Sequence, residues 1–202
     1  MNFIFIILTF LISAVIARIL IPRILLISLR KKLFDIPDDR KIHKRAIPRL
    51  GGVSFFPTTL FAFCLVYAFR LLDGNSISTL YASYLLPELL LFACGMTLLY
   101  LTGIADDLVG VRYRQKFAIQ IFCACLFPLS GLWINDLYGL FGIHELSAYV
   151  GIPFTVLTVV FITNAINLID GIDGLASGLN RVALLVFTFL FLSKGLWSYA
   201  LL

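Results

Sequence analysis

An all-α, polytopic transmembrane helix bundle is the fold class this chain predicts, and three observations predict it. The 202 residues are 61% hydrophobic and 13% charged, whereas soluble domains carry roughly 25% charged residues. The apolar residues collect in six blocks, each close to the roughly 20 residues that cross a hydrocarbon core as a helix. The connections between the blocks alternate between basic and non-basic. Six helices with so little polar surface could not sit in water as a soluble helical core. The chain is read as a single membrane domain, 1–202.

The first span covers about 2–22. No basic segment precedes it and no small-residue cleavage site follows, so it is expected to be a mature helix and not a signal peptide. The second, 52–71, starts where Gly51 and Gly52 close a basic connection. The third, 85–105, runs into "IADDLVG", with Asp106 and Asp107 side by side. The fourth is expected over 117–133, the fifth over 150–168 and the sixth over 182–201. Cys64, Cys94, Cys123 and Cys125 all fall inside these blocks, where free cysteine serves as a small buried hydrophobe. Cys123 and Cys125 point in different directions on a helix, which argues against a metal pair. Trp133 and Trp197 fall near span ends, where interfacial anchors sit.

The stretch "RKKLFDIPDDRKIHKRAIPRLGG", 30–52, holds eight of the sixteen Lys and Arg residues. Arg112, Arg114 and Lys116 lie between the third and fourth spans, and Arg181 between the fifth and sixth, while 72–84 and 134–149 contain no Lys or Arg. By the positive-inside rule the N-terminus faces outward and the three basic connections face the cytoplasm. The net charge of +5 is accounted for by this topology and does not call for nucleic acid. Arg30, Lys31 and Lys32 read as anchors to anionic lipid. The segment "RKIHKRAIPRLGG" differs: it mixes five basic residues with His43, fixes its backbone at Pro48 and ends in two glycines. A basic, turn-rich segment returning to the membrane suits a phosphate-bearing ligand.

Both acidic motifs fall on that same side. Ionisable groups at membrane depth cost enough to be functional by default, and the adjacent Asp106 and Asp107 can coexist if a divalent cation or basic groups neutralise them. In "TNAINLIDGIDGLASG", Asn164, Asn167, Asp170 and Asp173 recur every three residues. Neighbours in that series lie about 60° apart around a helix, so Asn167, Asp170 and Asp173 share a broad face, and Gly171 and Gly174 invite a helix break there. Such oxygen donors suit Mg²⁺, or a phosphate held through Mg²⁺; interhelical bonding or a simple turn would also account for them. The connection 134–149, with Asp136, Gly139, Gly142, His144 and Glu145, reads as a short hairpin or irregular loop. A transporter would place polar groups near the midplane of corresponding halves, which this chain does not do.

These residues carry a resemblance. "DIPDDRKIHKRAIPRLGG" (35–52), "GIADDLVGVRYRQK" (103–116) and "NAINLIDGIDGLASG" (164–178) resemble, in order, three signatures of the polyprenyl-phosphate N-acetylhexosamine-1-phosphate transferases, glycosyltransferase family 4. The branch that loads N-acetylglucosamine-1-phosphate onto undecaprenyl phosphate looks closer than the muropeptide branch. The resemblance implies a multi-pass protein of the bacterial inner membrane in a cell-envelope pathway such as lipopolysaccharide or cell-wall biogenesis. The phosphate of a polyprenyl carrier would attack a UDP-N-acetylhexosamine and release UMP, with Mg²⁺ or Mn²⁺ as cofactor. Asp106 would act as base or as an orienter of the carrier phosphate. Asp107 would stand beside the metal, with Asp170 and Asp173 as further metal ligands. Lys41, His43, Lys44, Arg49, Asn164, Asn167 and Asp170 would contact substrate. The family's fold has about ten or eleven spans of some 20 residues each, so this chain looks like its N-terminal part. It is expected to be a truncated product, a fragment or half of a split enzyme, with a homodimer or a complementing C-terminal half as protein partner.

Overall fold

The computed structural model describes residues 2–35, 47–48, 50–72, 76–170 and 174–202. The chain is helical, with α1 over Asn2–Arg30, α2 over Phe55–Leu72, α3 over Ser76–Val109, α4 over Tyr113–Leu129, α5 over Ala148–Ile169, α6 over Leu175–Ser193 and the short α7 over Trp197–Leu201. A two-residue antiparallel pairing joins β1, Phe34–Asp35, to β2, Ile47–Pro48. A 3₁₀ turn, Gly51–Ser54, leads into α2.

Among the described residues five helices are long and apolar enough to cross a membrane, and they coincide with the expected first, second, third, fifth and sixth spans. The expected fourth span is α4, with 17 residues, one turn short of the roughly 20 a span needs. Its end is set at Ser130 and Gly131, where the Leu132 N–H returns to the Phe127 carbonyl and Gly131 takes a left-handed φ of 89°; that terminates the helix before Trp133. Other bounds shift for similar physical reasons. The first helix does not stop near residue 22 but continues through Pro22 to Arg30, because the following residues are good helix formers. The last span is earlier than 182–201: α6 begins at Leu175 after the left-handed Gly174, and Gly195, with φ 73°, separates it from α7.

The chain divides into two compact units, Met1–Thr79 with Ile169–Leu202, and Leu80–Leu168. In the first, α1 packs along α2 and α7, and α6 packs on α7. Small side chains let these backbones approach, as in membrane helix pairs generally: Ser28, Ser54, Thr58 and Ala62 are buried together with Phe63 and Val66. The Phe3 and Trp197 rings meet edge to face with centroids 5.2 Å apart.

In the second unit α3 packs on α4 where Gly95 admits Cys123 and Leu126, and where Phe92 and Phe127 meet edge to face at 6.2 Å. Cys123 is buried as expected, whereas Cys64 and Cys94 lie exposed on α2 and α3. The expectation of burial fails for these two because a helix in a bilayer shows lipid the same apolar surface that a soluble helix would hide. Between α4 and α5 the chain forms a hairpin with an isolated bridge between Asp136 and Glu145, in agreement with the sequence.

Candidate active site

The turn from α3 to α4 builds the site. Gly110 takes a left-handed φ of 73° and its N–H donates to the Asp106 carbonyl at 3.0 Å, a helix stop that favours glycine because it has no Cβ to clash. Asp106 then ties down the chain beyond the turn: its Oδ1 accepts the Val111 N–H at 3.0 Å. Its Oδ2 accepts from Lys116 Nζ at 2.7 Å. Lys116 stands in the first turn of α4, so the ion pair spans ten residues of sequence and locks the two helix ends to each other. Both side chains keep about a quarter to a third of their surface open, 26% for Lys116 and 32% for Asp106. The pair is therefore reachable, and an ammonium there retains donors for an anion.

One turn further along α4 lies Gln120, 5% exposed. Its Oε1 accepts from Asn164 Nδ2 of α5 at 2.7 Å, and the same Nδ2 also donates to the Val160 carbonyl at 2.8 Å. A carbonyl only accepts, so the second bond fixes which end of the Asn164 amide is nitrogen. Asn164 thus joins α4 to α5, and Asn167, three residues on, is exposed near the end of α5. Interhelical bonding, one of the readings the sequence left open for this motif, is what the Asn164 amide does.

The structure pairs Asp106 with Lys116 and Gln120 with Asn164, the two pairs meeting α4 one turn apart. Asp107 is half-buried next to Asp106 on α3. The break expected around Gly171 and Gly174 is present: α5 ends at Ile169, and Gly174 has φ 77° at the start of α6. Asp170, exposed, follows the end of α5. Lys41, His43, Lys44, Arg49 and Asp173 lie outside the described residues. Sequence reasoning did not single out Lys116 as the partner of Asp106 or Gln120 as the partner of Asn164. The first had a signal in the glycine turn between them, which reverses the chain and returns a first-turn lysine to the preceding helix end. The second, a single glutamine in an apolar span, had only its cost of burial.

Among the described residues no group of three or more His, Cys, Asp or Glu side chains could hold a metal. Asp106 has its negative charge met by Lys116. Mg²⁺, however, commonly takes only one or two carboxylates and completes its shell with phosphates and water, a mode that a single aspartate such as Asp107 fits.

The sequence model for glycosyl transferase family 4 matches residues 89–202, which include the α3–α4 turn and the whole of α5. The chain belongs to glycosyl transferase family 4. It is 30% identical over 191 residues to a probable undecaprenyl-phosphate N-acetylglucosaminyl 1-phosphate transferase of Bacillus subtilis, covering 94% of this chain and 49% of that protein. A phospho-N-acetylmuramoyl-pentapeptide-transferase of Staphylococcus carnosus is 28% identical, with 96% of this chain and 61% of that protein covered. One of that same name from Streptococcus equi subsp. zooepidemicus is 33% identical, with 82% and 50% covered. The chain spans about half the length of the curated relatives it matches, and no solved structure matches it. Membership of this bacterial transferase family and the long apolar helices together mark a membrane-embedded protein.

Proposed function

We propose that this family 4 chain takes part in the transfer of N-acetylglucosamine-1-phosphate, or a related N-acetylhexosamine-1-phosphate, from a UDP-sugar to undecaprenyl phosphate. An oxygen of the carrier phosphate forms a bond to the β-phosphorus of the UDP-sugar, the bond from that phosphorus to the bridging oxygen breaks, and UMP leaves with the electron pair. The observation that carries the reading is the Asp106–Lys116 pair at the α3–α4 turn. It sets a partly open ammonium at a helix end, where it can meet a phosphate whose lipid tail stays beside the helices.

In this reading Lys116 stabilises negative charge on the phosphates. Asp106 positions it and does not itself have to remove a proton, since a carrier phosphate is already anionic near neutral pH. Of the two roles expected for Asp106, orientation of the carrier phosphate is therefore preferred to general base. Mg²⁺ would supply charge neutralisation at the transferring phosphoryl group. The candidate ligands are Asp107, Asp170 and Asp173, and Lys41, His43, Lys44, Arg49, Asn167 and Asp170 are the remaining candidates for substrate contact. The distribution of Lys and Arg supports a cytoplasmic position for the α3–α4 turn in the inner membrane.

Coverage of about half of each relative supports a second reading, in which the chain transfers nothing alone and acts with a complementing C-terminal half. One experiment separates the two. Membranes containing the 202-residue chain are given UDP-N-acetylglucosamine, undecaprenyl phosphate and Mg²⁺, and UMP release is compared with that of D107N. Release that D107N abolishes supports transfer by this chain. Release that appears only on co-expression of a C-terminal half supports the split form. No release in either case overturns the transfer reading.

A further inference from the structure

The hairpin between α4 and α5 carries a surface that the transfer reaction does not use. Tyr138 and Phe141 are 87% and 88% exposed, and both hold left-handed backbone, with φ of 52° and 57°. Large side chains rarely adopt that conformation. Hydrogen bonds from Leu137 N to the His144 carbonyl, from Gly139 N to the Ile143 carbonyl and from Tyr138 N to Asp136 Oδ1 hold them there. Leu140, between them, is also exposed, and so are Tyr149 and Val150 on the first turn of α5. The tip is thus ordered and apolar, with its aromatic rings turned outward.

Depth decides what meets these rings. The Ile134 N–H donates to Thr155 Oγ1 at 2.8 Å, and Thr155 lies seven residues into α5, about 10 Å along its axis. Gly151 allows the approach, since a Cβ there would stand 2.5 Å from the Ile134 oxygen and from the Trp133 ring. The base of the hairpin is therefore tucked beside the first two turns of a helix long and apolar enough to span. Trp133, expected from the sequence as an interfacial anchor, is half-buried over Gly151. Tyr138, Phe141 and Tyr149 are the aromatics left facing outward. No Lys or Arg occurs between Lys116 and Arg181, so attraction to anionic headgroups plays no part.

We infer that this hairpin is an interfacial membrane anchor, its Tyr138, Leu140 and Phe141 seated in the headgroup and upper acyl zone of the bilayer at the α4–α5 end. Aromatic side chains favour that zone because an apolar ring and a polar edge can both be satisfied there. The inference is independent of the transfer reading.

The test uses the full chain in vesicles. F141W, and L140W as a second variant at a neighbouring position, each add one tryptophan, and the parent's emission from Trp133 and Trp197 is subtracted. The expected result is blue-shifted added emission, quenched by phosphatidylcholine brominated near the headgroup and not by aqueous iodide, equally in zwitterionic and anionic vesicles. Quenching by iodide alone would place the tip in water and overturn the inference. Quenching by neither agent would indicate a protein partner, and quenching that requires anionic lipid would indicate a charge-driven contact; each overturns it too.

Discussion

Replacing the two members of the α4–α5 amide bond by apolar side chains of similar shape should give unequal single effects and a nearly silent double. In Q120M, Asn164 loses the Gln120 acceptor but its Nδ2 keeps the Val160 carbonyl, so the half-buried amide nitrogen is not left wholly unpaired. The cost should be near the average for a hydrogen bond between membrane helices, about 0.6 kcal/mol. In N164L, the amide of Gln120, 5% exposed, loses its α5 partner while still buried, and the penalty for such a group is about 1–3 kcal/mol. Q120M/N164L removes both polar groups and should return to within about 0.5 kcal/mol of the parent, because apolar pairs of matched shape often replace a buried polar pair at little cost. The assay is reversible unfolding in mixed micelles of rising SDS fraction, followed by helical circular dichroism at fixed protein concentration. Equal costs for the two singles, or a double mutant whose cost is their sum, would refute both the pairing and its asymmetry.

Other outcomes follow from the α3–α4 turn and the hairpin base. K116M should lower UMP release by about 10²-fold or more, the scale for losing one electrostatic donor to a reacting phosphate, whereas D106N should change stability by less than about 1 kcal/mol, since the pair is partly exposed. A large stability loss in D106N would show that the pair holds the fold and does not serve the site. G110A forces a left-handed Cβ and should cost about 1–2 kcal/mol, read as a shift in the same SDS titration. G151A drives a methyl into the Ile134 carbonyl and the Trp133 ring; it should cost about 1–3 kcal/mol through overpacking and alter Trp133 fluorescence, and unchanged emission would contradict the close approach.

Most of the fold was legible because a bilayer makes length and apolarity close to sufficient for a helix. The five long helices fall where hydropathy puts them. Their ends were less legible, since glycine conformation sets them: Gly131 cuts α4 short of Trp133, and Gly195 stops α6 while the apolar sequence continues. Hydropathy alone does not register a left-handed residue. In the site, Asp106 was evident from the cost of a carboxylate at a span end, and Asn164 from its place in the three-residue repeat. Their partners were not, because Lys116 reads as one more topology charge and Gln120 as an isolated polar residue until the turn and the α4–α5 packing bring each to its mate.

The same geometry explains why two adjacent aspartates need not do one job. Consecutive helix residues point about 100° apart, so only one of the two carboxylates can turn back over the α3–α4 connection. That one is Asp106, whose oxygens meet the Val111 N–H and Lys116, while Asp107 projects from another side of α3. Asp106 thereby joins the machinery that fixes the helix ends and aims the lysine. A helix stop with glycine at its end, an acid one turn earlier and a lysine in the next helix's first turn thus makes a partly open ammonium, held by a carboxylate, out of a simple helical hairpin.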